Sequence, residues 1–197
     1  LSGVAMLILT SAMTRTSTTV KFNDRSNELI ESTAAAEAAV EKVVARMMVD
    51  YQIDAESRVS NNLSLYRTSV PTASENPAMG NFIFSDGQGN NNRTYIARTT
   101  TEANPPYIAL KNQYEGLSGF AATYRIVSNA RRSGSANNIV GTAQQEVYLA
   151  EIPVYQFAIF YNSLMEYTWA APLTVRGRVH ANTNIYVGSS CDLIFKY

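Results

Sequence analysis

DRSNELIESTAAAEAAVEKVVARMMVDY, residues 24–51, decides the fold. Leu29, Thr33, Ala36, Val40, Val43, Val44, Met47 and Tyr51 recur at spacings of three and four, the period of one face of an α-helix. Glu37, Glu41, Lys42, Arg46 and Asp50 lie mostly off that stripe. Glu37 and Glu41 form a like-charge i,i+4 pair, so packing and alanine propensity must hold this helix rather than ion pairs. The stretch sits inside a longer region without helix breakers: residues 1–70 contain no proline and, after Gly3, no glycine. Residues 14–22 are Thr-rich and costlier in a helix by tenths of a kcal/mol each. Before them runs LSGVAMLILTSAMT, residues 1–14, without a charge. An unbroken helix over residues 4–61 would be roughly 85–90 Å long at about 1.5 Å per residue. A break near residues 23–27 is therefore expected.

The regime changes at Asn61, Asn62, Pro71, Pro77 and Gly80. Short β-like runs follow, separated by turn residues: 81–85, 94–99, 107–110, 121–129, 145–151, 154–161, 167–169, 173–180 and 185–187. The fold class is α+β, with a long N-terminal helix packed on a β-rich head. The expected division is a stem at 1–66 (apolar at 1–13, amphipathic at 24–62) and a head at 67–197. Leu173, Val175, Val179, Ala181, Ile185 and Val187 alternate with a period of two, in short runs closed by Gly or Asn. That spacing suits a sheet edge or rungs of a parallel β-helix, though two rungs are too few to define a repeat.

The chain has 197 residues, 16 basic and 16 acidic, so no basic face for nucleic acid is implied. One cysteine, Cys191, excludes an intramolecular disulfide. Residues 1–13 are too few to cross a bilayer alone and read as the tail of a longer apolar helix. The sole histidine, His180, and Cys191 lack the companions of a metal or nucleophile site. Residues 86–92 (DGQGNNN) carry one carboxylate and read as a hairpin loop before a calcium loop. The aromatic run Tyr155, Phe157, Phe160, Tyr161, Tyr167 and Trp169 reads first as sheet core and second as a carbohydrate platform. Glu146, Glu151, Glu166 and Asp192 show no spacing for a carboxylate pair. The expectation is a non-catalytic protein without metal or cofactor.

Two segments carry a resemblance. Residues 11–47 run from an apolar segment through a Ser/Thr-Arg patch into a helix bearing Ala35-Ala36-Glu37-Ala38-Ala39. Residues 153–167 (PVYQFAIFYNSLMEY) and 173–187 (LTVRGRVHANTNIYV) form a second block. Their order resembles that of PilX-like minor pilins and large pilin-like proteins. Pilins begin, after processing, with an aromatic or Met and carry Glu at the fifth position; this chain has Leu1 and Ala5, which places those features upstream. The resemblance implies a structural subunit of a pilus or pseudopilus, in the cell envelope, held in the inner membrane before assembly or lying in an extracellular filament. Leu1, Val4, Leu7, Ile8 and Leu9 would meet membrane or neighbouring stems, and Leu29, Val40, Val43, Val44 and Met47 would dock the helix on the head. Partners would be other copies or other pilin-like subunits, with a surface glycan as the alternative of an adhesin-like module. A β-helical part would begin in the second block and continue past Tyr197.

Overall fold

The computed structural model describes residues 2–111, 114–169 and 171–196, with side chains for 18–111, 114–168, 171–188 and 190–196. The architecture is α+β. Among the described residues, helix α1 (Ser2–Asn61) and the short α2 (Leu63–Arg67) precede eleven strands. The chain forms two compact units: Leu1–Ala103 with Ala122–Leu149, and Asn104–Ala121 with Ala150–Tyr197. The helix thus shares a unit with most of the sheet it packs on.

In the first unit, α1 passes straight through residues 23–27. The expected break lies instead at Asp54 and Ala55, whose backbone leaves the helical region (Ala55 φ 46°, ψ −144°). A local cluster of Asn and Asp weakens a helix by tenths of a kcal/mol, which continuing hydrogen bonds outweigh. The bend at 54–55 is held by tertiary partners described below. The segment before it extends about 75–80 Å.

β4 (Ser118–Arg132) is the spine of a five-stranded sheet. In the first unit it pairs antiparallel with β1 (Phe82–Ser85) and β2 (Tyr95–Arg98). β5 (Val140–Glu151) also pairs with β4. Val40, Val43 and Met47 of α1 pack with Ile96, Tyr124, Ile126 and Leu149 of the sheet, and with Val59 and Tyr66 beyond the bend; Val44 is half-buried beside them. Burying each such side chain stabilises by roughly 1.5–3 kcal/mol. Leu29, expected to dock, is 47% exposed. Its neighbours one residue before and three after, Glu28 and Ser32, face inward instead.

The reason lies in size. Ala35, Ala36 and Ala39 are fully buried against Phe84 and Ala130. At Gly141 of β5 an added Cβ would stand 2.2 Å from the Thr33 nitrogen and 2.3 Å from the Ser32 carbonyl carbon. Helix and sheet touch backbone to backbone here, where a leucine has no room. The Ala35–Ala39 signature is therefore a close-approach surface.

In the second unit, β3 (Tyr107–Ala109) pairs antiparallel with the start of β4. Leu110, Leu117 and Ala121 form a small core with Ala150, Ile152 and Phe157. Three parallel pairs follow. β6 (Ile159–Tyr161) runs beside β9 (Val179–Ala181), β7 (Met165–Trp169) beside β10 (Ile185–Ser189), and β8 (Leu173–Arg176) beside β11 (Leu193–Lys196). Ile159 lies opposite Val179, Met165 opposite Ile185 and Leu173 opposite Leu193, so all three registers share an offset of twenty residues.

One expectation is overturned. Among the described residues no helix is long and apolar enough to cross a membrane. The inner-membrane anchoring expected from the resemblance is corrected accordingly. Residues 2–13 are helical, but Thr, Ser and then Arg15 interrupt the apolar run within about ten residues, half a bilayer span.

Candidate functional site

Leu1 lies outside the described residues. Val4, Leu7, Ile8 and Leu9 sit on α1, with side chains outside the described set. Residues 18–27 are all exposed, so no element of the first unit covers that part of the helix. Phe22 is 73% exposed, and Val20, Leu29 and Ile30 are exposed with it. Val20 and Phe22 stand there beside the charged Lys21, Asp24 and Arg25.

Where the helix meets the sheet, the bend is clamped from both sides. Asp50 accepts hydrogen bonds from Arg58 Nε (2.9 Å), Asn62 Nδ2 (2.9 Å) and the Tyr66 hydroxyl (2.5 Å). The Tyr66 bond, then those of Arg58 and Asn62, hold the Asp50 carboxyl down to about 2. Burial, then the Asp50 carboxylate, pushes the Tyr66 phenol well above its usual range. Beyond the bend, buried Glu56 receives Arg98 Nε at 2.8 Å and the Tyr124 hydroxyl on the same oxygen. The Tyr124 phenol is likewise raised, first by burial and then by Glu56. Lys42 closes a third bond, donating to the Val70 carbonyl and to Glu75, each at 2.7 Å. These groups are consumed by one another, and their chemistry is structural: they fix the direction of the chain after the helix.

At the other end of the docked segment, Glu28 accepts from Asn137 at 3.0 Å, and its carboxyl is lowered, mainly by a bond from Ser135. Asp24, Asn27, Glu31, Arg132 and Ser135 border an adjoining hollow of about 390 Å³. Arg132 pairs with Glu31 across it at 3.3 Å.

The second unit carries an aromatic cluster. Tyr107 and Phe120, opposite each other in the β3–β4 register, meet edge to face at 5.2 Å. The Tyr107 and Tyr155 hydroxyls are 3.2 Å apart. That bond, before burial, raises the Tyr107 phenol. Gln156 holds Tyr155 in place: its Oε1 accepts from the Ser118 backbone nitrogen at 2.8 Å, and its Nε2 donates to the Ser118 carbonyl. All three rings are exposed, Tyr155 to 75%. Phe160 and Tyr161 are also exposed, so within the 155–161 run only Phe157 reaches the core that the composition suggested for all of it.

The twenty-residue offset extends to side chains. Asn182 Nδ2 donates to Asn162 Oδ1 at 2.6 Å, and His180 stacks on Phe160 with ring planes 17° apart. His180 Nε2 is also 2.9 Å from Asn182 Oδ1. Residues 157–176 and 177–196 thus occupy equivalent positions, pairing Met165 with Ile185 and Val175 with Phe195. The period is written in the sequence as Asn162/Asn182, Leu173/Leu193 and Arg176/Lys196, but Phe157/Gly177 and Glu166/Tyr186 obscure it.

The remaining sequence candidates do not converge. Asp86 spends its carboxylate on Gln88 and Asn90 within its own turn. Cys191 is half-buried and in no disulfide. Among the described residues no group of three or more His, Cys, Asp or Glu is placed to hold a metal ion. No protein-family description matches this chain, and neither a curated protein nor a solved structure matches it.

Proposed function

We propose that this chain is a structural, non-catalytic assembly subunit of the pilin-like kind, joined to other copies or related subunits through its long helix. The observation that carries this reading is the exposed helical segment at residues 18–27, continued past the buried Glu28 by the exposed Leu29 and Ile30. It exposes Val20, Phe22, Leu29 and Ile30, while the same helix from residue 32 onward is anchored on a sheet. A helix that is clamped at one end and apolar but uncovered at the other gains most by packing against like helices, because that removes the exposed surface from water. The apolar run at residues 4–9 extends the same surface in sequence. In the second unit, the common twenty-residue register, the Asn162–Asn182 bond and the Phe160–His180 stack support two coils of a parallel β-helix, in which neighbouring coils repeat equivalent positions.

Sedimentation and negative-stain microscopy test the assembly reading. The wild-type protein is expected to form concentration-dependent oligomers or filaments that Val20→Glu with Phe22→Glu disperses. A protein that stays monomeric at all concentrations, or a double variant that assembles unchanged, refutes it.

A second reading is favoured by one observation: Tyr107, Phe120 and Tyr155 form a pinned, exposed platform with paired hydroxyls. Such rings suit the apolar face of a sugar, and an adhesin-like role follows. Titration with soluble hexose and N-acetylhexosamine oligomers, followed by tyrosine fluorescence, checks it. Saturable binding lost in Tyr155→Ala supports a glycan site, and no response to any oligomer removes it.

A further inference from the structure

We propose that Tyr107 and Tyr155 are a built-in site of oxidative cross-linking, joined into one dityrosine by a peroxide-driven one-electron oxidant. The inference stands apart from the assembly and glycan readings above.

The tyrosines of this chain meet different fates. Tyr66 and Tyr124 are fully buried and donate their hydroxyl protons to Asp50 and Glu56. Tyr107 and Tyr155 face solvent, 47% and 75% exposed, so an oxidant reaches both. Their hydroxyls are 3.2 Å apart and share a hydrogen bond. Each ring is also placed by its surroundings. Tyr107 stands opposite Phe120 in the β3–β4 register and packs against its ring. Tyr155 rides the turn Val154–Gln156, which Gln156 fastens to both backbone groups of Ser118. Leu110, Leu117, Ala121 and Phe157 supply the small core of the same unit.

The chemistry follows from that placement. The oxidant takes one electron from each phenol, and each hydroxyl gives up its proton. The two phenoxyl radicals carry spin on the ring carbons next to the oxygen, and two such carbons join. The ring hydrogen at each end of the new bond then moves to oxygen as a proton, which restores both hydroxyls. In sum, two phenols lose two hydrogens and gain one carbon–carbon bond. One peroxide takes up those two electrons and two protons and leaves as two waters.

The product is a 2,2′-biphenol, whose two hydroxyls hydrogen-bond to each other. The folded chain already pairs the hydroxyls in that way, and at 75% exposure the Tyr155 ring has room to turn until the carbons meet. Radicals on separate molecules must first collide, whereas these partners are held together, an advantage of orders of magnitude. The new bond would staple β3 to the turn that leads into β6, across 48 residues of sequence. Closing a loop of that length restricts the unfolded chain and is expected to raise Tm by roughly 5–15 °C.

The test treats the dilute chain with a haem peroxidase and one equivalent of hydrogen peroxide. Dityrosine fluorescence is expected to rise at least about tenfold faster than in Tyr107→Phe or Tyr155→Phe, with the chain still a monomer on a denaturing gel. Both variants keep the ring and lose only the hydroxyl, and an unchanged circular dichroism spectrum checks their fold. Tandem mass spectrometry is expected to find tryptic peptides 99–111 and 133–176 joined through Tyr107 and Tyr155, two hydrogens lighter than their sum. Tyr161→Phe, exposed outside the pair, is the control and leaves the cross-link intact. Dityrosine confined to links between chains, or to other tyrosines, overturns the proposal. So does an absence of dityrosine under conditions that couple free N-acetyltyrosinamide.

Discussion

Replacing Gly141 by alanine adds one methyl group at the seat of the helix. The new carbon would lie 2.2 Å from the Thr33 nitrogen, 2.3 Å from the Ser32 carbonyl carbon and 2.6 Å from the Thr33 Cα. Each distance is more than an ångström inside van der Waals contact, and each neighbour is helix backbone, which has no rotamer to retreat into. Overpacking a core commonly costs about 1–3 kcal/mol. Here the helix must lift from β5, which also thins the contacts of Ala35, Ala36 and Ala39 with Phe84 and Ala130. The expected loss is therefore about 3 kcal/mol or more. For a chain of this length, that lowers Tm by roughly 6–12 °C. Urea denaturation followed by circular dichroism at 222 nm measures it, with Gly188→Ala as the control, since nothing lies within 4 Å of a Cβ there. If Gly141→Ala costs under about 0.5 kcal/mol, helix and sheet are not in backbone contact and the docking described above is wrong.

Three further outcomes follow from the joint and the core. The Asp50 carboxyl falls from an ordinary value of 3.8 to about 2 in the folded chain, so its contribution is complete above pH 4 and is lost as pH falls toward 2. That difference corresponds to about 2 kcal/mol, and Asp50→Asn should flatten the stability–pH curve in this window. Ala55→Gly relieves a positive φ that costs a non-glycine residue about 1–3 kcal/mol. Less the added freedom of glycine in the unfolded chain, a net gain of about 1 kcal/mol is expected in chemical denaturation. The Thr94 hydroxyl is buried without a partner, so Thr94→Val should stabilise by about 0.5–1.5 kcal/mol in the same assay, whereas a loss would show that the hydroxyl is satisfied.

The helix, and most of its docking face, was legible because apolar period and absence of breakers act locally. Leu29 was misplaced because hydropathy ranks leucine above alanine, while Gly141, more than a hundred residues away, admits only small side chains at that contact. The bend was expected where the local sequence is weakest. It occurs where Asp50, Glu56, Arg98 and Tyr124 hold it, and no local property of residues 54–55 announces partners that distant. Most strand runs were found, but Leu193–Lys196 was missed, residues 173–180 are two strands and residues 154–156 form a 3-10 turn; parallel pairing depends on a twenty-residue equivalence that unlike pairs such as Glu166/Tyr186 conceal. The aromatic platform needed Tyr107 and Phe120 beside Tyr155, an adjacency created by the β3–β4 pairing.

The seat at Gly141 also bears on how the first unit would carry load. Tension along α1 would not peel the helix from the sheet one contact at a time. It would shear the whole docked segment, and a slip of one residue, about 1.5 Å, would drive the helix at Ser32 and Thr33 into the β5 backbone at Gly141. Lys42 on Glu75 and Asp50 on Arg58, Asn62 and Tyr66 lie further along the same line and would have to part together. Pulled lengthwise, the joint would therefore resist as one unit.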